Sequence, residues 1–599
     1  MFQSFSATTT PEQGPPRLAA LRTEMTRAGV DAFLIPRADA HQGEYVAPRD
    51  DRLAWLTGFT GSAGFCIALA ETAGVFVDGR YTLQSRQQVA LEAFTPVSWP
   101  KTQPGPWLTE TLGKGVVGFD PWLHTKAEIA RLEKGLGEGL SLLRVDNLVD
   151  RIWSDQPAPP QGAVKIHPDA LAGRGAAEKR AEIAEALRAA DETAAILTLP
   201  DSLCWLLNIR GSDIPRNPVV HGFAILHADG SCDFFIDAAK LSEEVLVHLG
   251  PEVRIAAPET FGPAVMSLTG PVRLDPATAP IAIFDLLESA KIPVAEGDDP
   301  CILPKACKTE AEIAGTAEAH LRDGAAMVEF LAWLDAQDPG DLHEIDVVTA
   351  LEGFRAATGA LLDISFETIC GTGPHGAIVH YRVTEDTNRA VTPGDLLLVD
   401  SGGQYADGTT DVTRTMATGT PPDGAVAAFT RVLQGMIAVS LACWPKGLAG
   451  RDLDALARAP LWRAGQDYDH GTGHGVGTYL CVHEGPQRLS RVSEVPLRPG
   501  MILSNEPGYY REGAFGIRIE NLVVVTAMTP PEGGDQGREM LGFQTLTYVP
   551  IDRRLIDLSQ LSPAERSWLD SYHAQVRTYL EPRVSPNARD WLLRVTAPL

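Results

Sequence analysis

The stretch LLLVDSGGQYADGTTDVTRT (396–415) contains two acidic residues in positions that decide how this part of the chain folds. Asp400 ends an apolar run, and Asp411 follows the turn GGQYADG (402–408) in the strand-like segment TTDVTRT (409–415). A hairpin of this kind places the two acids on neighbouring strands. A carboxylate at the end of an apolar strand is costly to bury unless something neutralises it. The stretch therefore predicts a paired-strand site that requires a neutralising partner.

Three more short segments, apolar or rich in glycine, each carry one candidate ligand. They are HGTGHGVG (470–477) with His474, LSNEPGYY (503–510) with Glu506, and GIRIEN (516–521) with Glu520. Taken singly, each acid has an ordinary structural explanation; Asp400 fits a strand-end turn, and Glu520 fits a partner for Arg518 on the same strand face. Together, four carboxylates and one imidazole can hold two divalent ions, and dinuclear sites of this kind catalyse hydrolysis. The five residues therefore predict one dinuclear metal site.

Local features of these segments favour their convergence. Glu506 opens a turn, and a further strand pair would bring it beside Glu520. Glycines surround His474, and glycine allows close backbone approach and unusual dihedral angles.

Three further histidines flank the candidate ligands in sequence: His380 in AIVHYR, His470, and His483 in VHEGP. A lone histidine is most often a hydrogen-bonded core or surface residue. His470 lies four residues before His474, and we interpret it as a residue that orients this ligand from behind.

Composition limits the classes of partner. The net charge is −26 and the pI is about 5.0, so nucleic acid and anionic membranes would be repelled. No run of 18 apolar residues is present, and the first residues do not combine a basic region with an apolar run. The eight cysteines form no CxxC pair and lie mostly in apolar segments, which is typical of a reducing compartment. We expect a cytoplasmic protein with no membrane partner.

Length and breaks in pattern indicate several domains, because 599 residues exceed a single core. SDQPAPPQGA (154–163) is typical of a linker. Thr309 and Glu312 form a capping box that starts a helix running to residue 335. The predicted domains are 1–160, 161–305 and 306–545, followed by a C-terminal helical extension at 546–599. In this extension Ser562, Pro563 and Glu565 open a helix, and its apolar face is predicted from the helical spacing of Leu569, Tyr572, Val576 and Tyr579.

The first two predicted domains share one pattern. LAWLTGFTGS (53–62) and LCWLLNIRGS (203–212) match at Leu, Trp, Leu, Gly and Ser, and a helix followed by a strand precedes each segment. A repeat of about 150 residues indicates duplication of an α/β unit. Neither copy has a cluster of acids and histidines, so we assign both copies to shaping and gating.

One nucleotide-binding motif occurs but lacks its structural context. CGTGPHG (370–376) satisfies G-x-G-x-x-G, yet the following AIVHYRV (377–383) is β-branched and predicts a strand rather than a helix. P-loop, H-E-x-x-H and G-x-S-x-G motifs do not occur. Dinucleotide binding, thermolysin-type zinc chemistry and α/β-type serine hydrolysis are therefore not expected.

The combined motifs resemble the aminopeptidase P family of pita-bread metallopeptidases, in its long, three-domain cytosolic type. The resemblance covers nearly the whole chain, including HQGEYVAPRDDRLAWLTGFTGSAG (41–64) and VDGRYTLQ (77–84). It implies an α/β (α+β) fold, with two tandem creatinase-like α/β domains followed by a pita-bread catalytic domain. It also implies a homodimer.

The resemblance further implies a ligand set with, most commonly, two manganese ions. Asp400 and Asp411 match ligands of one ion, while Asp411, His474, Glu506 and Glu520 match ligands of the other, with Asp411 and Glu520 shared. Co²⁺ or Zn²⁺ would also suit these ligand types. The residues that match peptide-contacting positions are His380, His474, His483 and Arg80, and we add Arg518 as a further substrate-binding candidate.

The activity implied is removal of the N-terminal residue from peptides that have a free N-terminus and proline in second position. A hydroxide bridging the two ions would attack, Glu506 would shuttle the proton, and His483 would stabilise the oxyanion. His380 would position the carbonyl or the leaving proline.

Three alternatives remain open at this stage. A prolidase-type X-Pro dipeptidase shares the catalytic domain, but its N-terminal part commonly has one domain instead of two. Methionine aminopeptidase carries no such long N-terminal half. A non-catalytic pita-bread module that binds proteins typically loses the ligand set, which is complete here.

Overall fold

Residues 1–530, 532–535 and 537–599 are described by a computed structural model in which the chain forms two units. One unit comprises Thr8–Lys305, and the other comprises Met1–Ala7 with Ala306–Leu599. The finer predicted division into 1–160, 161–305, 306–545 and 546–599 stays a prediction.

The unit Thr8–Lys305 begins with a six-stranded sheet and its helices. The strands are β1 (Ala32–Pro36), β2 (Phe65–Leu69), β3 (Ala73–Val77), β4 (Thr95–Ser98), β5 (Gly115–Phe119) and β6 (Leu140–Arg144). The helices are α1 (Gly14–Ala28), α2 (Arg52–Thr57), α3 (Thr82–Gln88), α4 (Pro104–Thr111) and α5 (Lys126–Gly135). The strand order is β4-β3-β2-β1-β5-β6, with β1 antiparallel to β2 and parallel to β5.

A second six-stranded sheet follows in the same unit. The strands of this region are β7 (Lys165–Ile166), β8 (Ala194–Leu197), β9 (Ile209–Arg210), β10 (Phe223–His227), β11 (Cys232–Phe235), β12 (Val253–Ala256), β13 (Val272–Leu274) and β14 (Val294–Glu296). Strands β7 and β9 pair with each other in a separate two-stranded sheet, and the other six form the large sheet. The helices are α6 (Asp169–Ala172), α7 (Ala176–Ala189), α8 (Pro200–Leu206), α9 (Glu243–Leu249), α10 (Phe261–Met266), α11 (Ile281–Ser289) and α12 (Ile302–Ala306). Its order, β12-β11-β10-β8-β13-β14, repeats that of the first sheet strand for strand, which confirms the predicted duplication.

The first helix of this unit illustrates how its sequence determines its packing. Leu18, Leu21 and Met25 recur at helical spacing, and all three are buried in the core. The helix ends where Gly29 adopts a left-handed conformation (φ 69°), which glycine accommodates without a side-chain clash.

The other unit carries the predicted metal ligands. Its strands are β15 (Asp363–Ile364), β16 (Ile369–Thr372), β17 (Leu396–Ser401), β18 (Gly403–Tyr405), β19 (Gly408–Thr409), β20 (Val412–Ala417), β21 (Cys443–Pro445), β22 (Gly473–Gly475), β23 (Glu484–Leu489), β24 (Ile502–Asn505), β25 (Gly508–Arg511), β26 (Phe515–Arg518), β27 (Asn521–Met528) and β28 (Met540–Thr545). Its helices are α13 (Glu310–Asp335), α14 (Glu344–Ala356), α15 (Ala425–Ser440), α16 (Gly450–Trp462), α17 (Pro563–Leu580) and α18 (Pro586–Val595).

Two sheets of this unit bring the ligand-bearing segments together. The order β16-β17-β20 makes one sheet, and β21-β28-β27-β24-β22-β23 makes another. In the first sheet Asp400 pairs with Thr413, so the predicted pairing of the two segments is confirmed. Asp411 itself lies in the break between β19 and β20 instead of within the predicted strand at 409–415. In the second sheet Asn505 pairs with Asn521, which places Glu506 and Glu520 at the same end of two adjacent strands.

Two predicted helix starts are confirmed by capping boxes. Thr309 caps α13, and Ser562 caps α17, each by accepting a hydrogen bond from the backbone N–H three residues on. The apolar face of α17 is buried as predicted except at Tyr579, which is 40% exposed. Tyr579 instead packs its ring against Tyr548 at the edge of the core, with ring centroids 4.7 Å apart.

The strand predicted for AIVHYRV (377–383) is wrong. A 3₁₀ turn covers Gly373–Ala377, a turn follows at 378–380, and no regular element continues to residue 383. The backbone of this segment bonds locally instead: the N–H groups of Ile378 and Tyr381 donate to the carbonyl oxygens of His375 and Ile378, each at 3.0 Å. The carbonyl oxygen of Val379 accepts from Arg518 at 3.3 Å, so turn and side-chain partners replace a strand ladder here.

Two further observations concern hydropathy and the cysteines. Across the described residues, no helix combines the length and apolar character needed to span a membrane. Six cysteines are buried as predicted, whereas Cys307 is half-buried and Cys443 is exposed.

Candidate metal centre

The five predicted ligands come from five different chain segments. Asp400 lies near the end of β17, Asp411 directly before β20, His474 within β22, Glu506 directly after β24, and Glu520 directly before β27. Asp400, Asp411 and Glu520 are buried, while His474 and Glu506 are half-buried. A cation could therefore reach a site that is otherwise enclosed.

The His474 ring is aligned with the carboxylates. Its Nε2 lies 3.5 Å from Asp411 Oδ2 and 3.3 Å from Glu506 Oε1. Its Nδ1 lies 2.9 Å from the carbonyl oxygen of Gly475. Because that carbonyl can only accept, Nδ1 carries a proton, and Nε2 is the ring nitrogen directed at the acids. This is the orientation that a metal ligand requires.

Glycine lets β22 pack against its neighbour next to His474. A Cβ on Gly473 would lie 1.9 Å from the carbonyl oxygen of Ser504 on β24, a distance that no side chain tolerates. The Ser504 hydroxyl accepts from the His474 backbone N–H at 2.9 Å and donates to Glu506 Oε1 at 3.0 Å. The predicted close approach is thus present, and it ties the positions of two ligands together.

Buried oxygens without partners show that a divalent ion suits the site. Among the described residues, Asp400 Oδ1, Asp411 Oδ1 and Glu520 Oε1 are buried without a hydrogen-bond partner. One atom each of Asp411, His474 and Glu520 lie within 4.8 Å of one another. Native proteins rarely leave such groups unsatisfied, and carboxylate oxygens with one imidazole form a donor set for divalent metals. The residues therefore fit a metal site.

Crowding of these acids raises their pKa values in the metal-free protein. Burial raises the pKa of Asp411 well above its usual range, and the charges of Asp400 and Glu506 raise it further. Burial and the charges of Asp411 and Asp400 do the same to the pKa of Glu520. The pKa of Glu506 is also raised, chiefly by burial. Ionisation of the cluster without cations therefore opposes folding.

This electrostatic cost predicts a pH-dependent stability in the absence of metal. Because the folded-state pKa is raised, the protonated acid stabilises the fold fully below about pH 4, near the pKa of the acid in the unfolded chain. This stabilisation is lost as the pH rises through the raised pKa. In EDTA, we expect Asp411→Asn to raise the melting temperature, with a gain that grows from mildly acidic to neutral pH. Thermal unfolding of both proteins across this range measures the gain, and a variant no more stable than wild type at neutral pH contradicts the expectation.

Arg518 holds one ligand in place from behind. Its Nη2 donates to Asp400 Oδ2 at 2.6 Å and to the carbonyl oxygen of Val379 at 3.3 Å. Its Nε donates to Thr413 Oγ1 at 3.2 Å, and Thr413 donates to Glu520 Oε2 at 2.7 Å. Arg518 is 1% exposed. Its donors are thus directed at protein groups that carry the ligands, and the predicted substrate contact of Arg518 stays a prediction.

A hydrogen-bond chain extends from Arg518 to His470. Arg518 Nη1 donates to the Tyr510 hydroxyl at 2.5 Å, and this hydroxyl lies 2.9 Å from His470 Nε2. Burial raises the pKa of Tyr510 to about 12, so it stays a neutral hydroxyl. These hydrogen bonds link His470 to Asp400 through Tyr510 and Arg518. The sequence had instead predicted that His470 would orient His474.

His483, another of the predicted histidines, lies beside His474. The His483 ring meets the His474 ring edge to face, with centroids 4.3 Å apart. The residue after His483, Glu484, forms a buried ion pair with Lys308. This pair anchors the start of β23 and thereby the segment that presents His483.

His380 follows Val379, whose carbonyl accepts from Arg518. Its loop is organised by Glu344, which is fully buried. The Glu344 carboxylate lies 3.0 Å from His375 Nδ1 and accepts from the Tyr381 hydroxyl at 3.0 Å. One acid thus fixes the chain on both sides of His380.

Arg414 links the ligand strands to the C-terminal helix. It is 2% exposed, and it donates to the carbonyl oxygen of Glu520 at 2.5 Å and to the Tyr572 hydroxyl at 3.0 Å. Burial lowers its pKa. Glu520 is therefore held through its backbone by Arg414 as well as through its side chain by Thr413.

Arg80 belongs to the unit Thr8–Lys305 and lies in a 3₁₀ turn at Gly79–Tyr81. It donates through Nη2 to Asp78 Oδ2 at 2.7 Å, and its guanidinium lies 5.3 Å from the centroid of the Tyr81 ring. Its predicted substrate contact stays a prediction.

Family models cover most of this architecture. A metallopeptidase family M24 model matches residues 314–527, and the C-terminal region of peptidase M24 matches 539–599. Two creatinase/prolidase N-terminal domain models match 17–152 and 155–312. The class of protein that these matches define is an M24 metallopeptidase with two creatinase-type N-terminal domains.

Proteins that are similar to this chain along nearly its whole length identify the family within this class. A probable Xaa-Pro aminopeptidase P of Neosartorya fischeri is 40% identical over 97% of this chain and 92% of its own. The protein of the same name from Aspergillus niger is 39% identical, covering 97% of this chain and 98% of its own. The chain therefore belongs to the Xaa-Pro aminopeptidase P family.

Solved structures agree with this assignment. The X-prolyl aminopeptidase of Caenorhabditis elegans, described as a cytosolic enzyme with a di-nuclear active site, is 33% identical with a TM-score of 0.92. The match covers 98% of this chain and 99% of that one. The dipeptidase PepE of Mycobacterium ulcerans, at 26% identity and a TM-score of 0.51, covers only 64% of this chain.

Proposed function

We propose that this protein is a metal-dependent aminopeptidase that removes the N-terminal residue from peptides with proline in second position. The observation that carries the proposal is the convergence of Asp400, Asp411, His474, Glu506 and Glu520, with buried oxygens that lack any protein partner. Full-length similarity to Xaa-Pro aminopeptidase P proteins supports the same substrate class.

The five ligands would hold two divalent ions. Asp400 and Asp411 would bind one ion, the other would lie against His474 and Glu506, and Asp411 and Glu520 would serve both. When bound, such a pair ionises a water molecule near neutral pH and polarises the carbonyl under attack. Mn²⁺ suits the oxygen-rich donor set, and Co²⁺ and Zn²⁺ are compatible with the imidazole.

Glu506 is the residue that we propose moves the proton. Its Oε1 is fixed by the Ser504 hydroxyl at 3.0 Å, so the carboxylate keeps one orientation relative to His474. It would accept the proton released when water attacks and pass it to the leaving proline nitrogen. A tertiary amide nitrogen is a poor leaving group until it is protonated.

His483 would donate a hydrogen bond to the oxygen that becomes negative as the carbonyl is attacked. Its ring stands against His474, the half-buried ligand, so it reaches the open side of the centre. His474 and His380 would contact the peptide, with His380 presented by the loop that Glu344 organises. We assign Arg80 to substrate contact on the resemblance alone.

Proline in second position suits a site of this kind. The Xaa-Pro bond is a tertiary amide with no N–H, so an enzyme that needs that donor cannot use it. A pocket shaped for the pyrrolidine ring converts this constraint into selectivity. The free α-amine would bind near Asp400, which limits attack to the first residue.

Two further properties complete the proposal. The protein would act as a homodimer, which the family resemblance implies. It would work in the cytoplasm, and the Caenorhabditis elegans enzyme is described as cytosolic. Sedimentation of the purified protein measures the first property directly.

Substrate length separates this proposal from a prolidase. We expect hydrolysis of an Arg-Pro-Pro peptide at the Arg–Pro bond and at least about tenfold lower kcat/KM for an Xaa-Pro dipeptide, because a dipeptide lacks the residues after proline. EDTA should abolish both reactions, and Mn²⁺ should restore them.

An Arg-Ala-Pro peptide of equal length serves as the control for proline in second position. Dipeptide turnover that exceeds tripeptide turnover identifies a prolidase. Absence of any turnover in the metal-loaded protein favours a non-catalytic binding module.

A further inference from the structure

A second cluster of potential metal ligands lies in the unit Thr8–Lys305. It comprises Asp39, Asp50 and His221, and each of these offers one ligand atom within 4.8 Å of the other two. None of these residues belongs to the predicted catalytic set. Asp39 and Asp50 lie in the first predicted copy and His221 in the second, so the cluster was not expected from the sequence of either copy alone. Asp39 lies shortly after β1 and His221 shortly before β10, so the cluster joins loops from the two six-stranded sheets of this unit.

Asp39 is held rigidly but keeps one oxygen free of hydrogen bonds. It is 2% exposed, and its Oδ1 accepts from the backbone N–H of His41 at 2.8 Å. Its Oδ2 is buried without a hydrogen-bond partner. A buried carboxylate oxygen in this state is costly unless a cation or a charged donor neutralises it.

His221 presents a ring nitrogen to that oxygen. Its Nε2 lies 3.3 Å from Asp39 Oδ2, yet it is also buried without a hydrogen bond of acceptable geometry. The backbone N–H of His221 donates to Asp213 Oδ2 at 2.7 Å, and its ring packs on His41 with centroids 4.4 Å apart. His221 is therefore positioned by its backbone and by stacking, which leaves Nε2 available as a ligand.

The surrounding charges leave room for a cation. Arg52 donates Nη1 to Asp50 Oδ1 at 3.0 Å, but its Nε and Nη2 form a two-bond ion pair with Asp150 at 2.7 and 2.9 Å. Arg52 is thus mainly neutralised by Asp150. Arg49 Nε lies farther away, 4.0 Å from Asp50 Oδ1, and Lys240 is paired with Asp213 at 2.7 Å. Burial lowers the pKa of His41 to about 3, so the stacked ring adds no positive charge at neutral pH.

We propose that Asp39, Asp50 and His221 bind one divalent transition-metal ion. Two carboxylates and one imidazole form a donor set that suits Zn²⁺, Mn²⁺ or Co²⁺, with water completing the coordination. The ion would connect the loop after β1 to the segment before β10 and stabilise this unit. The site is independent of the aminopeptidase activity.

The test measures metal content and Co²⁺ spectra of the full-length chain. After loading with Co²⁺ alone and dialysis, we expect about three ions per chain in wild type, about two in His221→Gln, and about one in an Asp411→Asn, Glu520→Gln double variant. The visible absorption of Co²⁺ in the double variant should disappear when His221→Gln is added.

Matched variants keep the test decisive. His227→Gln removes a histidine of the same unit that lies 2.8 Å from Asp233 outside any such cluster, so the Co²⁺ content should not change. Asp39→Asn should behave as His221→Gln does, and the activity of His221→Gln should stay within about twofold of wild type. The proposal is overturned if His221→Gln binds as much Co²⁺ as His227→Gln, or if the double variant binds none. In either case Asp39 and His221 form an ordinary ion pair, and the fate of the catalytic proposal is unaffected.

Discussion

Asp411→Asn should reduce kcat/KM for an Arg-Pro-Pro peptide by about 10³-fold or more and should remove bound metal. Asp411 is the ligand expected to serve both ions, and it lies 3.5 Å from His474 Nε2. Its Oδ1 is buried without a protein partner. A bound metal contributes several kcal/mol of transition-state stabilisation, and each 1.36 kcal/mol is a factor of ten in rate.

The measurement combines steady-state kinetics with metal analysis on the same preparation. Asp423→Asn, an exposed acid in the same unit, is the matched control and should keep wild-type activity and metal content. The fold of Asp411→Asn should be intact, since the substitution relieves repulsion among buried acids. Full activity in Asp411→Asn would refute the ligand assignment.

His483→Ala should reduce kcat by about 10² to 10³-fold while leaving the metal content unchanged. Loss of one hydrogen-bond donor to a developing oxyanion has an effect of this size. The ring lies against His474 without belonging to the five ligands, so its removal should spare metal binding. His483→Gln retains an N–H donor and should recover part of the rate.

A loss of kcat without a loss of metal in His483→Ala distinguishes stabilisation of the oxyanion from a structural role of His483. His343→Ala, at an exposed position in the same unit, should leave both quantities unchanged. If His483→Ala loses metal together with activity, then His483 is itself a ligand. If kcat is unaffected, the oxyanion role is wrong.

Local signals in the sequence predicted much of this fold. Strand β17 and its return in β20 follow from an apolar run, a glycine-rich turn and a β-branched run, all within 20 residues. The starts of α13 and α17 follow from capping boxes that span four residues each. The duplicated sheets follow from a repeated motif. In each case, the information lies in neighbouring residues.

Contacts between distant segments could not be predicted in the same way. The sequence suggested Glu520 as the partner of Arg518, two residues away. Arg518 instead donates to Asp400, and Glu520 accepts from Thr413, more than 100 residues earlier. Period-two alternation predicts which residues of one strand lie on the same face. It does not predict which other strand packs against that face.

Residues that hold the site from behind were missed for the same reason. Glu344 sits at the start of a helix, and no local pattern marks it as the partner of the loop that carries His380. Arg414 stands between Thr413 and Thr415 in a run of consecutive polar residues, which is typical of a solvated segment, yet Arg414 is 2% exposed. The burial of Arg414 can be predicted only when the position of α17 is known, because Tyr572 of that helix accepts a hydrogen bond from Arg414.

The central claim is that five side chains from separate strands hold a pair of divalent ions. A crystal of the Mn²⁺-loaded protein, measured at the manganese absorption edge, tests this claim directly. We expect two anomalous peaks among Asp400, Asp411, His474, Glu506 and Glu520, with Asp411 and Glu520 contacting both. A map with no peak among these residues, or with their carboxylates directed apart, would contradict the account.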